Sequence, residues 1–76
     1  MYTDSMKRVF RSMTPPPGFS VEIYDNEHFL VIKANEKEFI KLYDREKRLA
    51  AEYMIKLKKA LESEGAIVML VRDGAK

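Results

Sequence analysis

The sequence predicts a small α+β domain: a small antiparallel sheet, made of a β-hairpin or meander plus a C-terminal strand, packed by one long amphipathic helix, with a short N-terminal helical arm. Three observations predict this class. Short alternating apolar segments begin at Phe19, and a long stretch with helical apolar spacing follows them. The helix stop Glu64-Gly65 then precedes the apolar run Ile67–Val71, which is typical of a strand.

Length and composition narrow the classes of protein. The chain has 76 residues, which is one domain with room for a small core. It has no cysteine and 1 histidine, so disulfides, thiolate metal sites and His-rich metal sites are excluded. A net charge of +2 is too small to indicate nucleic-acid binding by itself.

No apolar run is long enough to span a membrane, and no signal-peptide pattern begins the chain, so we expect a cytoplasmic protein. We also expect no cofactor. Glutamine and tryptophan are absent while Lys and Glu are plentiful, which is typical of heat-adapted proteins.

Residues 1–14 predict one short helix, with Asp4 or Ser5 as its N-cap. Its apolar residues fall on one stripe, at Met6, Val9, Phe10 and Met13. The prolines and glycine of residues 15–18 end this helix and form a semi-rigid linker. We therefore expect an N-terminal arm and Pro-rich linker at 1–18 and a single α+β domain at 19–76. The arm either covers its own sheet or binds a protein partner through the stripe.

The first two strands form a hairpin. Residues 19–24 alternate between apolar and polar, and the turn-forming residues Asp25-Asn26-Glu27 follow them. Residues 28–34 return as a second strand that is apolar on both faces in its middle. This pattern predicts a central strand with a layer over each face.

Residues Lys37 to Tyr43 fit two structures. As a third strand they pair back through a turn at Asn35-Glu36, which places Phe39 opposite Ile32. As a helix they start with an N-cap pair, Asn35 with Glu38. An uninterrupted helix would then extend over roughly 30 residues, or about 45 Å, which is too long for a chain of this size to cover. We therefore favour the strand.

The long helix is predicted from Arg45 to Glu64, with Asp44 as its cap and Gly65 as its stop. Its predicted core stripe, which Met54 and Ile55 widen, consists of Leu49, Ala50, Tyr53, Leu57, Ala60 and Leu61.

Catalytic and cofactor motifs are weak in this sequence. The three glycines are scattered, and none connects a strand to a helix as a phosphate-binding loop does. Asp25, Glu27 and His28 cluster at one turn, where residues of this kind are common because they favour solvated turns. We expect a solvated hairpin tip, no metal site, no catalytic residues and no enzyme activity.

Basic residues at the start of the long helix give a second possible function. Arg45, Lys47 and Arg48 stand beside the free N–H groups of a helix start, an arrangement that can grip a phosphate. Together with the basic residues of the arm they form a candidate nucleic-acid set: Lys7, Arg8, Arg11, Arg45, Lys47 and Arg48.

The segment Arg45–Ala51 is similar to the basic, alanine-containing start of the second helix in the double-stranded-RNA-binding domain family. His28, after the first strand, resembles that family's minor-groove loop histidine, and a helix, three strands and a helix is the family's element order. The resemblance implies RNA binding through the loop and the helix start. The chain departs from the family at Asp25 and Glu27, where the family has Gly and Pro, and in its extra strand Ile67–Val71.

Two functions follow from these observations. The first is a small non-catalytic protein-interaction or assembly module that self-associates, most simply as a dimer, and acts as a regulator or complex subunit with an unidentified protein. Its candidate interaction residues are the arm stripe, Met6, Val9, Phe10 and Met13. The alternative is a nucleic-acid-binding domain that uses the basic set.

Overall fold

The computed structural model describes residues 2–73 and, of Asp73, only the backbone. Residues 74–76 of the predicted domain therefore lie outside the described part. The elements in chain order are α1 (Asp4–Ser12), β1 (Val21–Asp25), β2 (Leu30–Asn35), α2 (Glu36–Lys41), α3 (Asp44–Ser63) and β3 (Val68–Asp73). The predicted α+β class, with a long helix and a short N-terminal helix, is confirmed.

The sheet is three-stranded and mixed, in the order β1-β2-β3. β1 and β2 pair antiparallel, with Ile23 opposite Ile32. β3 pairs parallel to β2, with Leu30 opposite Val68. The sequence suggested an antiparallel sheet, whereas the sheet is mixed. The two helices between β2 and β3 carry the chain back to the start of β2, and a strand reached by such a crossover runs parallel to the strand that it left.

The core lies on one face of the sheet, under α1 and α3. Alternate β2 residues, Leu30, Ile32 and Ala34, point into it, as the two-residue period of a strand requires. The other fully or nearly buried apolar side chains are Met6, Phe19, Ala50, Tyr53, Met54, Leu57, Leu61 and Val68. The predicted central position of β2 is thus correct, while the helices cover only one of its faces.

Residues 36–41 form helix α2, so the strand that we favoured over Lys37–Tyr43 is wrong. The alternative N-cap pair is present: the Asn35 side-chain oxygen accepts a hydrogen bond from the Glu38 backbone N–H at 3.1 Å. The helix does not continue into α3, because Leu42 and Tyr43 adopt extended backbone conformations. We had favoured a strand because one uninterrupted helix of about 45 Å would be too long for this chain. The structure instead contains two helices joined by a bend.

Helix α3 begins at Asp44 with Tyr43 as its N-cap residue, one position earlier than predicted. The Tyr43 backbone N–H donates to the Glu46 carboxylate at 3.2 Å, which is one half of a capping box. At the other end Gly65 takes a positive φ of 98°, and its N–H donates to the Glu62 carbonyl at 3.0 Å. The glycine stop is therefore as the sequence indicated.

Helix α1 packs on the same core as the rest of the chain. Its N-cap is Thr3, whose hydroxyl accepts from the Met6 N–H at 3.2 Å, rather than Asp4 or Ser5. The Met6 side chain is 2% exposed and belongs to the central cluster. The Pro-rich linker thus joins two parts that share one core.

Of the helices that the structure describes, none combines the length and the apolar character needed to cross a bilayer.

Candidate interaction surface

The face of the sheet opposite the helices carries exposed apolar side chains in register. Tyr24 lies opposite Val31, and Val31 lies opposite Met69, so the three residues form one row across the strands. Tyr24 is 47% exposed and Met69 48%. We call this surface the open sheet face, and define it by Glu22, Tyr24, Val31, Lys33, Ile67, Met69 and Val71.

Polar atoms of the open sheet face lie along its β1 side. The Tyr24 hydroxyl donates to the Glu22 carboxylate at 2.6 Å, and the Lys33 ammonium lies 5.1 Å from the centre of the Tyr24 ring. The β3 side is apolar, with Ile67 68% exposed beside Met69 and Val71. The apolar character of this face therefore increases toward the outer edge of the sheet.

A shallow groove runs along β3 on the helix side of the sheet. Leu70 points into it from β3, and Ile55 borders it from α3; both side chains remain substantially exposed. The groove has a volume of about 340 Å³ and is lined by Ala34, Phe39, Ala51, Met54, Ile55, Leu70, Val71 and Arg72. We call it the β3 groove.

The outer edge of β3 lies between these two apolar surfaces. Within residues 2–73, β3 pairs only with β2, so its second edge has no partner strand. The edge also carries a cation at one end, Arg72, whose Nε lies 3.3 Å from the Glu36 carboxylate. An unpaired edge flanked by exposed apolar side chains is a template for another strand.

The interaction residues that the sequence indicated lie elsewhere. Met6 is buried in the core, and Val9, Phe10 and Met13 pack against it. The Tyr53 hydroxyl points toward the Met13 carbonyl at 3.5 Å, which marks where the end of α1 meets α3. The apolar stripe of α1 therefore already contacts the chain's own core, as expected if the arm covers its own sheet.

Five of the six basic candidates fall into two groups, and the sixth, Arg11, lies in the last turn of α1, at the end nearer the start of α3. Helix α1 runs antiparallel to α3: Met6 lines a cavity with Gly65, just beyond the end of α3, whereas Met13 lines another with Leu49. Lys7 and Arg8 therefore lie near the C-terminal end of α3. The other group, Arg45, Lys47 and Arg48, lies at the start of that helix, which is about 30 Å long.

The hairpin tip is a solvated turn. The Asn26 N–H donates to the Phe29 carbonyl at 2.9 Å, and the Asn26 side chain accepts from the His28 N–H at 3.3 Å. The His28 and Glu27 side chains are 3.7 Å apart and almost fully exposed. In the part of the chain with described side chains, no three acidic or histidine residues are grouped to hold a metal ion.

Two strands, not three, separate α1 from the next helix, which differs from the element order of the double-stranded-RNA-binding family.

Two tyrosines, Tyr2 and Tyr53, have a raised pKa. Burial raises the pKa of Tyr53, which lines a cavity of about 330 Å³ between α1, the linker and α3. Burial also raises the pKa of Tyr2, and the nearby Arg11 charge offsets part of that rise. Within residues 2–73, neither group has an acid or base partner at hydrogen-bond distance, so the geometry supports packing rather than proton transfer.

Sequence reasoning did not single out Tyr24, Met69 and Leu70, which the structure shows to be exposed, and it placed the exposed Ile55 in the core stripe. The signal was nevertheless present, because five consecutive apolar residues at 67–71 cannot all face one side of a strand. One alternate set had to face away from the helices.

Searches of protein-family models, curated proteins and solved structures found no match for this chain.

Proposed function

We propose that the chain is a small non-catalytic protein-interaction module that self-associates and acts as a regulator or a subunit of a complex. The observation that carries this proposal is the outer edge of β3, which is unpaired within the described residues and has exposed apolar side chains on both sides. Contiguous exposed apolar surface of this kind marks protein contact sites. A domain this small also gains much of its possible apolar burial from association.

Nucleic-acid binding has less support from the geometry. Lys7 and Arg8 lie near one end of α3, Arg45 and Arg48 lie at the other, and only Arg11 lies between them, so the six basic residues do not form one dense track. Such a track is what a phosphate backbone requires, because affinity grows with the number of phosphates contacted together.

Light scattering across a concentration series tests the proposal. We expect a dimer at micromolar concentration, and a shift toward monomer in Met69→Lys, because a charge at this site opposes burial. The matched control is Tyr43→Lys, which changes a more exposed side chain at the bend between α2 and α3, away from β3. A parent chain that remains monomeric at high concentration would contradict the proposal.

The same samples separate the two functions. Duplex RNA and duplex DNA are titrated at physiological salt against the parent chain and a variant with Gln at positions 45, 47 and 48. We expect no binding by either protein and an unchanged dimer. Tight binding by the parent that the triple variant loses would favour the nucleic-acid function instead.

A further inference from the structure

We propose that β3 pairs antiparallel with β3 of a second copy, around a two-fold axis at Met69. This joins two three-stranded sheets into one continuous sheet of six strands. The inference rests on the proposed self-association and specifies its geometry. The proposed contact between copies is the edge of β3, and the open sheet faces do not stack on each other.

The hydrogen bonds of β3 identify the backbone groups that are available. The Leu30 N–H donates to the Ile67 carbonyl at 2.8 Å, so the peptide groups of Ile67 face β2. Successive residues of a strand direct their N–H and C=O groups to opposite edges. Met69 and Val71 therefore also face β2, while Val68 and Leu70 direct their N–H and C=O groups toward the outer edge.

The side-chain pattern selects the register. The run Ile67–Val71 is apolar throughout and has Met69 at its middle. Antiparallel pairing centred there places Val68 opposite the second copy's Leu70, and these are the residues whose backbone groups point outward. Centring the pair on Leu70 instead would place Val68 opposite Arg72, an apolar side chain against a charged one.

The helix side of the proposed interface is apolar in both copies. A two-fold axis perpendicular to the sheet keeps α3 of both copies on the same side. The two Leu70 side chains then lie close to the seam and extend over the β3 groove toward Ile55. Pairing thus buries apolar groups that the single chain leaves exposed on this side.

Charge explains why the partner strand is a second copy. One end of the β3 edge carries Arg72, on the helix side because it lies opposite the buried Ala34. The other end adjoins the C-terminus of α3, which is the negative end of the helix dipole, has no basic residue in its last turn and is followed by Glu64. Antiparallel pairing brings each Arg72 next to the second copy's Ala66, two residues beyond Glu64. Each Arg72, which also lies 3.3 Å from Glu36 of its own chain, is then near the negative helix end of the other copy, and the two-fold axis repeats this contact.

Cysteine cross-linking tests the register directly. The chain contains no cysteine, so Met69→Cys introduces one thiol per copy. At the two-fold axis residue 69 faces its own copy in a pair without hydrogen bonds, where the Cα atoms are about 4.5 Å apart. That separation lies within the range that a disulfide requires. We expect mild oxidation to convert the variant to a covalent dimer that keeps the parent's circular dichroism.

Tyr24→Cys is the matched control, because it also lies on the open sheet face. It is two strands away from Met69, so edge pairing separates the two copies of residue 24 by about 24 Å. We expect no disulfide from this variant. Cross-linking of both variants would indicate stacked sheet faces and would overturn the inference, as would a Met69→Cys variant that dimerises without cross-linking.

A proline variant tests the backbone contact. Leu70→Pro removes an N–H that the single chain does not use in its sheet, so the variant should fold and its dimer should be weaker by roughly thirtyfold. Leu70→Ala keeps the N–H and controls for the lost side chain.

If the proline variant fails to fold, hydrogen exchange in the parent tests the pairing instead. The Val68 and Leu70 amides should be protected from exchange in the dimer if the inference is correct, and should exchange rapidly if it is wrong. A parent that dimerises with these amides unprotected overturns the pairing mode alone, whereas a monomeric parent overturns the proposed function as well.

Discussion

Ser20 donates both its backbone N–H and its hydroxyl to one oxygen of Glu38, at 2.9 Å each. This contact ties the residue before β1 to the first turn of α2, across 18 positions of sequence. The Phe19 and Phe39 rings pack edge to face beside it, with centroids 6.1 Å apart. The end of the Pro-rich linker is thereby fixed against the helix that follows β2.

Replacing Glu38 with alanine should lower the free energy of unfolding by about 1 kcal/mol, because two exposed hydrogen bonds to a carboxylate are lost. For a domain of this size the expected change in melting temperature is roughly 4–8 °C. Lys37→Ala is the control, since Lys37 is exposed and lies in the same turn. Thermal unfolding followed by circular dichroism measures both, and equal melting temperatures would contradict the role of the Ser20 contact.

This contact also shows why sequence reasoning failed at α2. The apolar spacing of residues 39, 40, 42 and 43 fits a strand or a helix, and the Asn35–Glu38 cap was the one local signal for a helix. The hydrogen bonds from Ser20 to Glu38 join distant parts of the chain, so no local pattern could reveal them.

The hairpin, α3 and its glycine stop were predictable because each has a strong local signal. The parallel direction of β3 was also predictable, since a strand after a helical crossover runs parallel to the preceding strand.

Tyr43→Ser should stabilise the protein. Tyr43 occupies the N-cap of α3 with the extended backbone that a cap requires, yet its ring is 81% exposed and its side chain is a poor cap. A serine hydroxyl can accept from the Glu46 N–H and complete the capping box, a gain of about 0.5–1 kcal/mol. Tyr43→Ala removes the same ring without adding an acceptor, so it should give no gain. Urea denaturation of the three proteins measures the difference.

Met6→Ala should destabilise the fold by about 2–3 kcal/mol, because it removes a fully buried side chain from the centre of the core. Arg8→Ala, on the exposed side of the same helix, should change the free energy of unfolding by less than about 0.5 kcal/mol. Chemical denaturation measures both. If Met6→Ala is as stable as the parent, α1 is a detachable arm and its stripe is again a candidate for binding a partner.

Stability should decrease at high pH partly because of Tyr53. Burial raises its pKa in the folded state above the ordinary value of 10.0, so the folded chain holds the phenol proton more tightly than the unfolded chain. The resulting stability is fully present below pH 10 and is lost as the pH rises through the folded pKa. Tyr53→Phe should therefore show a smaller loss of unfolding free energy above pH 10 than the parent. A Tyr53→Phe curve with the parent's slope would contradict this assignment.

A charge exchange tests the polarity of the proposed β3 pair. Arg72→Glu should weaken the dimer about fivefold, since it replaces attraction to the second copy's helix end and Glu64 with repulsion at two symmetric sites. Glu64→Arg alone should weaken it for the same reason, and the double variant should recover most of the lost affinity. Glu36→Gln removes the carboxylate that lies 3.3 Å from Arg72 within the chain, so it leaves the Arg72 charge less compensated and should not weaken the dimer. Analytical ultracentrifugation at low and high salt measures all four variants, and screening should reduce the differences at high salt. If the double variant is no tighter than either single variant, Arg72 does not face the end of α3 in the second copy, and the strands meet in another register.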